Sequence, residues 1–136
     1  AKSPKYIHSS ASIGLMPDSA APWVLQSPVG QARALGLALT AEPLPAEKPE
    51  QWGLIWKAVE DDQLDAEVDA LAERFAAAPT RGLAAIKRMI RESWGHSLDE
   101  ELDLQREAMR DLGFSDDYRE GVAAFMEKRK PNFTGK

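Results

Sequence analysis

The sequence predicts a mainly α protein with at most one or two short strands. Three observations predict it. Apolar residues recur at helical spacing in four successive blocks after Asp61, residues that start or stop helices bound those blocks, and a single brief run reads as a strand.

The first thirty residues differ from the rest. Ala1 to Ile13 is a loose polar–apolar mixture, readable as a strand end or an extended arm. Pro17, Pro22 and Pro28 then break the chain. Proline suits the first turn of a helix but not its interior, so Asp18 to Leu25 is expected to hold only a short helix, capped by Asp18 or Ser19. Gly30 to Thr40 is rich in Ala and Leu and reads as a helix, weakened at Gly36 by about 1 kcal/mol relative to alanine. A short helix is expected from Pro45, limited or kinked by Pro49. Leu54-Ile55-Trp56-Lys57-Ala58-Val59, after Gly53, is the best strand candidate.

The first late helix carries Leu64, Val68, Leu71, Phe75 and Ala78, with Asp61 and Asp62 at its positive start and Pro79 at its end. Thr80 is expected to cap the next, whose stripe is Leu83, Ile86, Ile90 and Trp94, with Lys87, Arg88 and Arg91 off it and Gly95 as a stop. Ser97 and Glu100 form a capping-box pattern ahead of Leu98, Leu102, Gln105, Met109 and Leu112. Ser115 caps the last helix, with Tyr118, Val122 and Phe125 as its expected buried face. Lys128, Arg129 and Lys130 are expected in its last turn, before Pro131. Met109, Phe125 and the four tryptophans (Trp23, Trp52, Trp56 and Trp94) read as packing groups. The stripes do not obviously close into a bundle, so a partner surface is one way to cover them.

Composition narrows the function. With 136 residues this is one ordinary domain's length, and no apolar run approaches the roughly 18 to 20 residues a membrane span needs. A net charge of −5 argues against general nucleic-acid binding. Absent cysteines rule out disulfides and fit a reducing, cytoplasmic setting. His8 and His96 lack ligand-like spacing, so no metal site is expected.

Several segments, in order, carry a resemblance. They are Ile13-Gly14-Leu15-Met16-Pro17-Asp18-Ser19, Gly30-Gln31-Ala32-Arg33-Ala34, Gln51-Trp52-Gly53-Leu54-Ile55, Ala77-Ala78-Pro79-Thr80 with Ala85-Ile86-Lys87, and Asp117-Tyr118-Arg119-Glu120-Gly121 with Phe125-Met126-Glu127-Lys128-Arg129. The chain resembles the C-terminal half of the enoyl-CoA hydratase/isomerase (crotonase) superfamily. Within it, the wording around Asp18 is most similar to the 2-(1,2-epoxy-1,2-dihydrophenyl)acetyl-CoA isomerases of phenylacetate breakdown. The resemblance implies the C-terminal helical part of a crotonase-like α/β spiral fold. Residues 1–60 would be the remnant of its core, with the active-site helix and last core strand, and residues 61–136 the helical trimerisation region.

It also implies chemistry. Asp18 matches the acid/base aspartate of that branch, although from the residues alone a helix cap after Pro17 is the favoured reading. A carboxylate moves protons beside a thioester when burial raises its pKa toward neutrality. The hydratases' extra glutamate falls at about Ser10, so one-carboxylate isomerisation suits these residues better than hydration. Lys128 matches a position that approaches coenzyme A phosphates, though it also suits a solvated helix end. Coenzyme A would enter as part of the substrate, with no separate cofactor, and the family's assembly would be a trimer or hexamer. The family's Gly-Gly-Thr after Asp-Ser reads Ala20-Ala21-Pro22 here, its Leu-Pro-Arg reads Leu25-Gln26-Ser27, and Pro49 replaces a small alanine. The two backbone donors for the thioester oxyanion would come from a front half that this chain does not supply. Three readings follow: an enzyme piece inactive alone, a helical self-association module, or a small helical protein in its own right.

Overall fold

A computed structural model describes residues 1–136. In chain order it contains β1 (Lys5–Tyr6), α1 (Ala21–Val29), α2 (Gln31–Thr40), β2 (Leu44–Pro45), α3 (Glu47–Gln51), α4 (Leu64–Ala76), α5 (Thr80–Glu92), α6 (Leu98–Gly113) and α7 (Asp116–Glu127). Short 3-10 turns lie at Ser9–Ile13, Asp61–Gln63 and Ser93–Gly95. The mainly α expectation holds. The two strands pair antiparallel, Lys5 opposite Pro45 and Tyr6 opposite Leu44. No helix is long and apolar enough to cross a membrane. The chain forms two compact units, Ala1–Glu67 and Val68–Lys136.

The first unit has a core. Leu25, Val29, Ala34, Leu37 and Leu44 cluster, with Tyr6, Trp52 and Leu54 packed against them. Ala46 and Pro49 are also buried, Pro49 completely. Pro49 is tolerated because it stands in the first turn of α3, where an N–H has no intrahelical acceptor. Its carbonyl accepts the N–H groups of Leu54 (2.8 Å) and Ile55 (3.3 Å). Those bonds overturn the strand expected at Leu54 to Val59. The start of this run closes the turn after α3, and the strands form instead at Lys5–Tyr6 and Leu44–Pro45.

Helix α1 runs further than expected, to Val29, because Pro28 falls in its last turn, where little helix remains to disrupt. Asp61 does not simply face a helix start. Its Oδ1 accepts the backbone N–H groups of Lys2 and Ser3, both at 3.0 Å, and Lys2 Nζ pairs with Glu60. Hydrogen bonding from Ser3 holds the Asp61 carboxyl below its ordinary range. Arg33 stacks over Trp52, 5.1 Å from the ring centroid.

The second unit is built differently. Its helices follow the predicted stripes, yet α4, α5 and α6 contain no buried residue. Ile86, Ile90, Leu98, Leu102, Met109 and Phe125 are all exposed. The expected face of Tyr118, Val122 and Phe125 is also exposed, and α7 instead buries Asp117 and Ala124. These helices do not close a bundle, so helical periodicity identified the elements and misassigned their burial. Trp23, Trp56 and Trp94 are likewise exposed rather than core groups.

Caps and polar clamps order this unit. Ser97 and Glu100 form the expected capping box, which holds Glu100 below its ordinary range. His96 Nδ1 lies 2.9 Å from Glu101 Oε2. Ser115 caps α7 by accepting the Tyr118 N–H at 3.0 Å. Thr80 is not a cap: it is the first helical residue, and Pro79 occupies the N-cap position. The tail folds back on α7. Asp117 accepts from Thr134 N–H (2.7 Å) and Gly135 N–H (2.9 Å), while its own N–H donates to the Lys136 carbonyl at 3.1 Å. Gly135 has φ +76°, and a Cβ there would lie 2.6 Å from Thr80 Oγ1, so no side chain fits without displacing that hydroxyl.

Candidate active site

The loop before α1 carries the candidate carboxylate. Gly14, at φ 76°, ends the Ser9–Ile13 turn, and Leu15 N–H donates to the Ser10 carbonyl at 3.0 Å. Leu15 and Met16 stand exposed. Pro17 is half-buried, and Asp18 is exposed. Ser19 (φ 53°) and Ala20 (φ 59°) follow, two successive non-glycine residues in the left-handed region. The Asp18 carbonyl accepts the Ala21 N–H at 2.9 Å, and the Ala20 carbonyl accepts those of Trp23 and Val24 at 3.0 Å.

This geometry corrects the capping expectation. The N-cap is Ala20, whose side chain has no acceptor, so neither Asp18 nor Ser19 caps α1. A cap also requires extended backbone, and both residues after Asp18 are left-handed. Asp18 is thereby left outside the helix, at the outside of a tight reversal. The left-handed conformation explains why glycine would be favoured at this turn. Alanine there costs roughly 1 to 2 kcal/mol.

An apolar recess of about 430 Å³ lies in the same unit, walled by Tyr6, Ile7, Val24, Leu25, Leu37 and Leu44. Pro17, Ala21 and Pro22 border a smaller one of about 120 Å³. Sequence reading missed the larger recess. Tyr6 and Ile7 were visible as the only large early apolar residues, but nothing linked them to Leu44 before the strand pair did. Ser10, where a second carboxylate would stand, lies in the 3-10 turn.

Lys128 belongs to the other unit, and the two candidate residues are therefore described separately. It is exposed and lies one residue past α7, in the left-handed conformation (φ 55°, ψ 37°). Its N–H donates to the Phe125 carbonyl at 3.3 Å, and Arg129 N–H to that of Ala124 at 3.0 Å. That pair of bonds is a Schellman ending, with lysine where glycine is usual. The expected basic last turn is thus replaced by a basic exit segment. Arg129 forks onto Glu120 at 2.6 and 2.9 Å and reaches Glu127 at 2.6 Å. Glu120 also accepts Asn132 N–H at 2.7 Å. Hydrogen bonding from Arg129 lowers the Glu120 carboxyl to about 2.

Known proteins match along this whole length. The chain is 45% identical over 136 residues to the 1,2-epoxyphenylacetyl-CoA isomerase of Escherichia coli K12, covering 100% of the chain and 52% of that protein. It is 36% identical over 132 residues to the trans-2-decenoyl-acyl-carrier-protein isomerase of Streptococcus mutans, covering 97% of the chain and 50% of the relative. The fold superposes on the crystal structure of enoyl-CoA hydratase subunit I from Geobacillus kaustophilus with a TM-score of 0.93 and 32% identity, over 100% of this chain and 53% of that one. An enoyl-CoA hydratase from Mycobacterium tuberculosis gives 0.87 and 33%, over 99% and 54%. The chain spans about half the length of the relatives it matches. The sequence profile of the enoyl-CoA hydratase/isomerase family matches residues 1–136, and the chain belongs to that family.

Proposed function

We propose that this chain is the C-terminal part of an isomerase- or hydratase-type enzyme acting on an acyl-CoA thioester, an enoyl- or epoxyphenylacetyl-CoA, with Asp18 as its proton carrier. The observation that carries the reading is the 45% identity, over every residue of the chain, to a protein named as an epoxyphenylacetyl-CoA isomerase. On this reading residues 1–60 supply the acid/base part of the catalytic core and residues 61–136 the helical assembly region. Asp18 takes a proton from the carbon skeleton beside the thioester carbonyl and returns one at another position. With serine at position 10 and no carboxylate between Ala1 and Met16, these residues suit isomerisation better than hydration. Lys128, exposed at the end of α7, supplies an ammonium for a coenzyme A phosphate. The setting is the cytoplasm.

The isolated chain is expected to turn over poorly. Asp18 is exposed, and a proton carrier beside a thioester needs both a water-poor setting and donors aimed at the forming oxyanion. Each missing oxyanion donor costs about 2.7 to 4 kcal/mol of transition-state stabilisation. Calorimetric titration with acetoacetyl-CoA tests the reading. Binding that is lost in Asp18→Asn or Lys128→Ala supports it. Isomerase turnover by this chain alone, abolished by Asp18→Ala, would overturn the dependence on further polypeptide.

One observation favours a second reading, a non-catalytic self-association module: the apolar stripes of α5 and α6 leave Ile86, Ile90, Leu98, Leu102 and Met109 exposed. A defined oligomer by solution mass measurement, with no affinity for acyl-CoA, would establish it. A trimer or hexamer is the expected state.

A further inference from the structure

Helix α7 ends on a residue that local chemistry disfavours. Lys128 holds φ 55° and ψ 37°. That left-handed backbone is unfavourable for a residue with a Cβ and free for glycine. Strained residues persist where their surroundings over-determine them, and they gather at ligand clamps.

The surroundings of Lys128 are charged. Arg129, the next residue, uses every nitrogen of its guanidinium. Nη1 and Nη2 donate to Glu120 at 2.6 and 2.9 Å, and Nε donates to Glu127 at 2.6 Å. Glu120 accepts the Asn132 N–H as well. Glu127 and Glu120 are the two side-chain carboxylates nearest to Lys128 along the chain. The next, Asp117, is occupied by the Thr134 and Gly135 N–H groups. Every acid that a lysine here would meet first is therefore engaged elsewhere. Lys128 itself is exposed, and its ammonium takes part in no ion pair. A planar guanidinium fork matches a carboxylate better than a lysine's point charge does, so Arg129 outcompetes Lys128 for both glutamates.

We infer that Arg129 is a positioning residue for the phosphate site: by occupying Glu120 and Glu127 it keeps the Lys128 ammonium free for a phosphate of coenzyme A. The inference rests on the reading of Lys128 given above. It also points to one phosphate. A phosphate monoester carries about −1.5 to −2 charges at pH 7, more than either phosphate of the pyrophosphate link. An exposed ammonium therefore gains most from the 3′ monoester.

Paired calorimetric titrations of the full chain with acetoacetyl-CoA and its 3′-dephospho form test the inference. The parent chain should bind the phosphorylated ligand up to about fivefold more tightly, the range of an exposed ion pair. That ratio should shrink as salt is added. Arg129→Gln should bring the ratio close to one, because Glu120 and Glu127 then compete for the lysine. Arg129 is exposed, so its replacement leaves the helices folded. Adding Glu120→Gln and Glu127→Gln to that variant should restore the ratio, since neither acid is left to compete. An arginine with a merely structural role would weaken both ligands together, and removing its partners would not rescue the loss. A ratio unchanged in Arg129→Gln overturns the inference and leaves the Lys128 reading standing. A ratio lost and not restored in the triple variant overturns it too, because Arg129 would then act on the phosphate itself. If the parent chain shows no preference between the two ligands, the reading of Lys128 falls and this inference falls with it.

Discussion

The two units reach order by opposite means. The first buries aliphatic side chains from α1, α2 and β2 against one another, so burial of apolar surface holds it. The second buries Ser115, Asp117 and Ala124 and leaves the apolar stripes of its helices open. Caps, a folded-back tail and charge-assisted hydrogen bonds fix its geometry. One unit is stabilised where side chains disappear from water, the other where backbone donors find acceptors. A truncation in the first should therefore be costly, and the same truncation in the second should barely register.

The largest expected effect tests that contrast directly. Leu37 is 7% exposed in the core of the first unit, and Ile90 is 66% exposed on α5. Leu37→Ala should destabilise by about 2 to 4 kcal/mol, through lost transfer energy and a residual cavity. Ile90→Ala should change stability by less than about 0.5 kcal/mol, as exposed sites do. Urea midpoints compare the two. Equal losses would erase the distinction between the units.

Next comes the tail clamp. Asp117 is only 5% exposed and accepts two backbone N–H groups from the tail. Asp117→Ala should cost about 1 to 3 kcal/mol, the range for removing a buried hydrogen-bonded charge partner. Hydrogen exchange at Thr134 and Gly135 should accelerate at the same time. Unchanged protection there would mean that packing of Phe133 holds the tail unaided.

How much was legible beforehand follows the same division. Local signals were read well: the capping box at Ser97, the cap at Ser115 and the stops around Pro79 and Gly95 depend on residues a few positions apart. The fold class was equally visible. Burial was not, because a stripe such as Ile86 and Ile90 states which face is apolar and says nothing of what covers it. The Leu54 to Val59 run failed for a related reason. A strand needs a partner, and Pro49 captured the N–H groups at its start. The clamp joins Asp117 to residues 17 and 18 positions away, beyond any periodic pattern.

The turn after Asp18 offers a smaller test, with the opposite sign. Ala20 holds φ 59°, a conformation in which its Cβ is unfavourable and glycine is free. Ala20→Gly should stabilise by up to about 1 kcal/mol, reduced by the greater freedom of glycine in the unfolded chain. Thermal unfolding measures it. A lower melting temperature would indicate that the Ala20 side chain contributes contacts outweighing its backbone strain.

The last effect is confined to acid. Glu120 is held by Arg129 and Asn132, and its carboxyl falls from an ordinary 4.5 to about 2. A depressed carboxyl pKa means that the unfolded chain takes up a proton at a higher pH than the folded one. The stabilisation is therefore complete above about pH 4.5 and is lost as pH falls toward about 2. Glu120→Gln should remove that part of the acid sensitivity while leaving the neutral-pH fold in place. The readout is the difference in urea midpoint between the parent chain and Glu120→Gln from pH 6 to pH 2.5. It should be constant down to about pH 4.5 and shrink below it. A difference that stayed constant through the acid range would show that ionisation of Glu120 beside Arg129 and Asn132 adds nothing to stability.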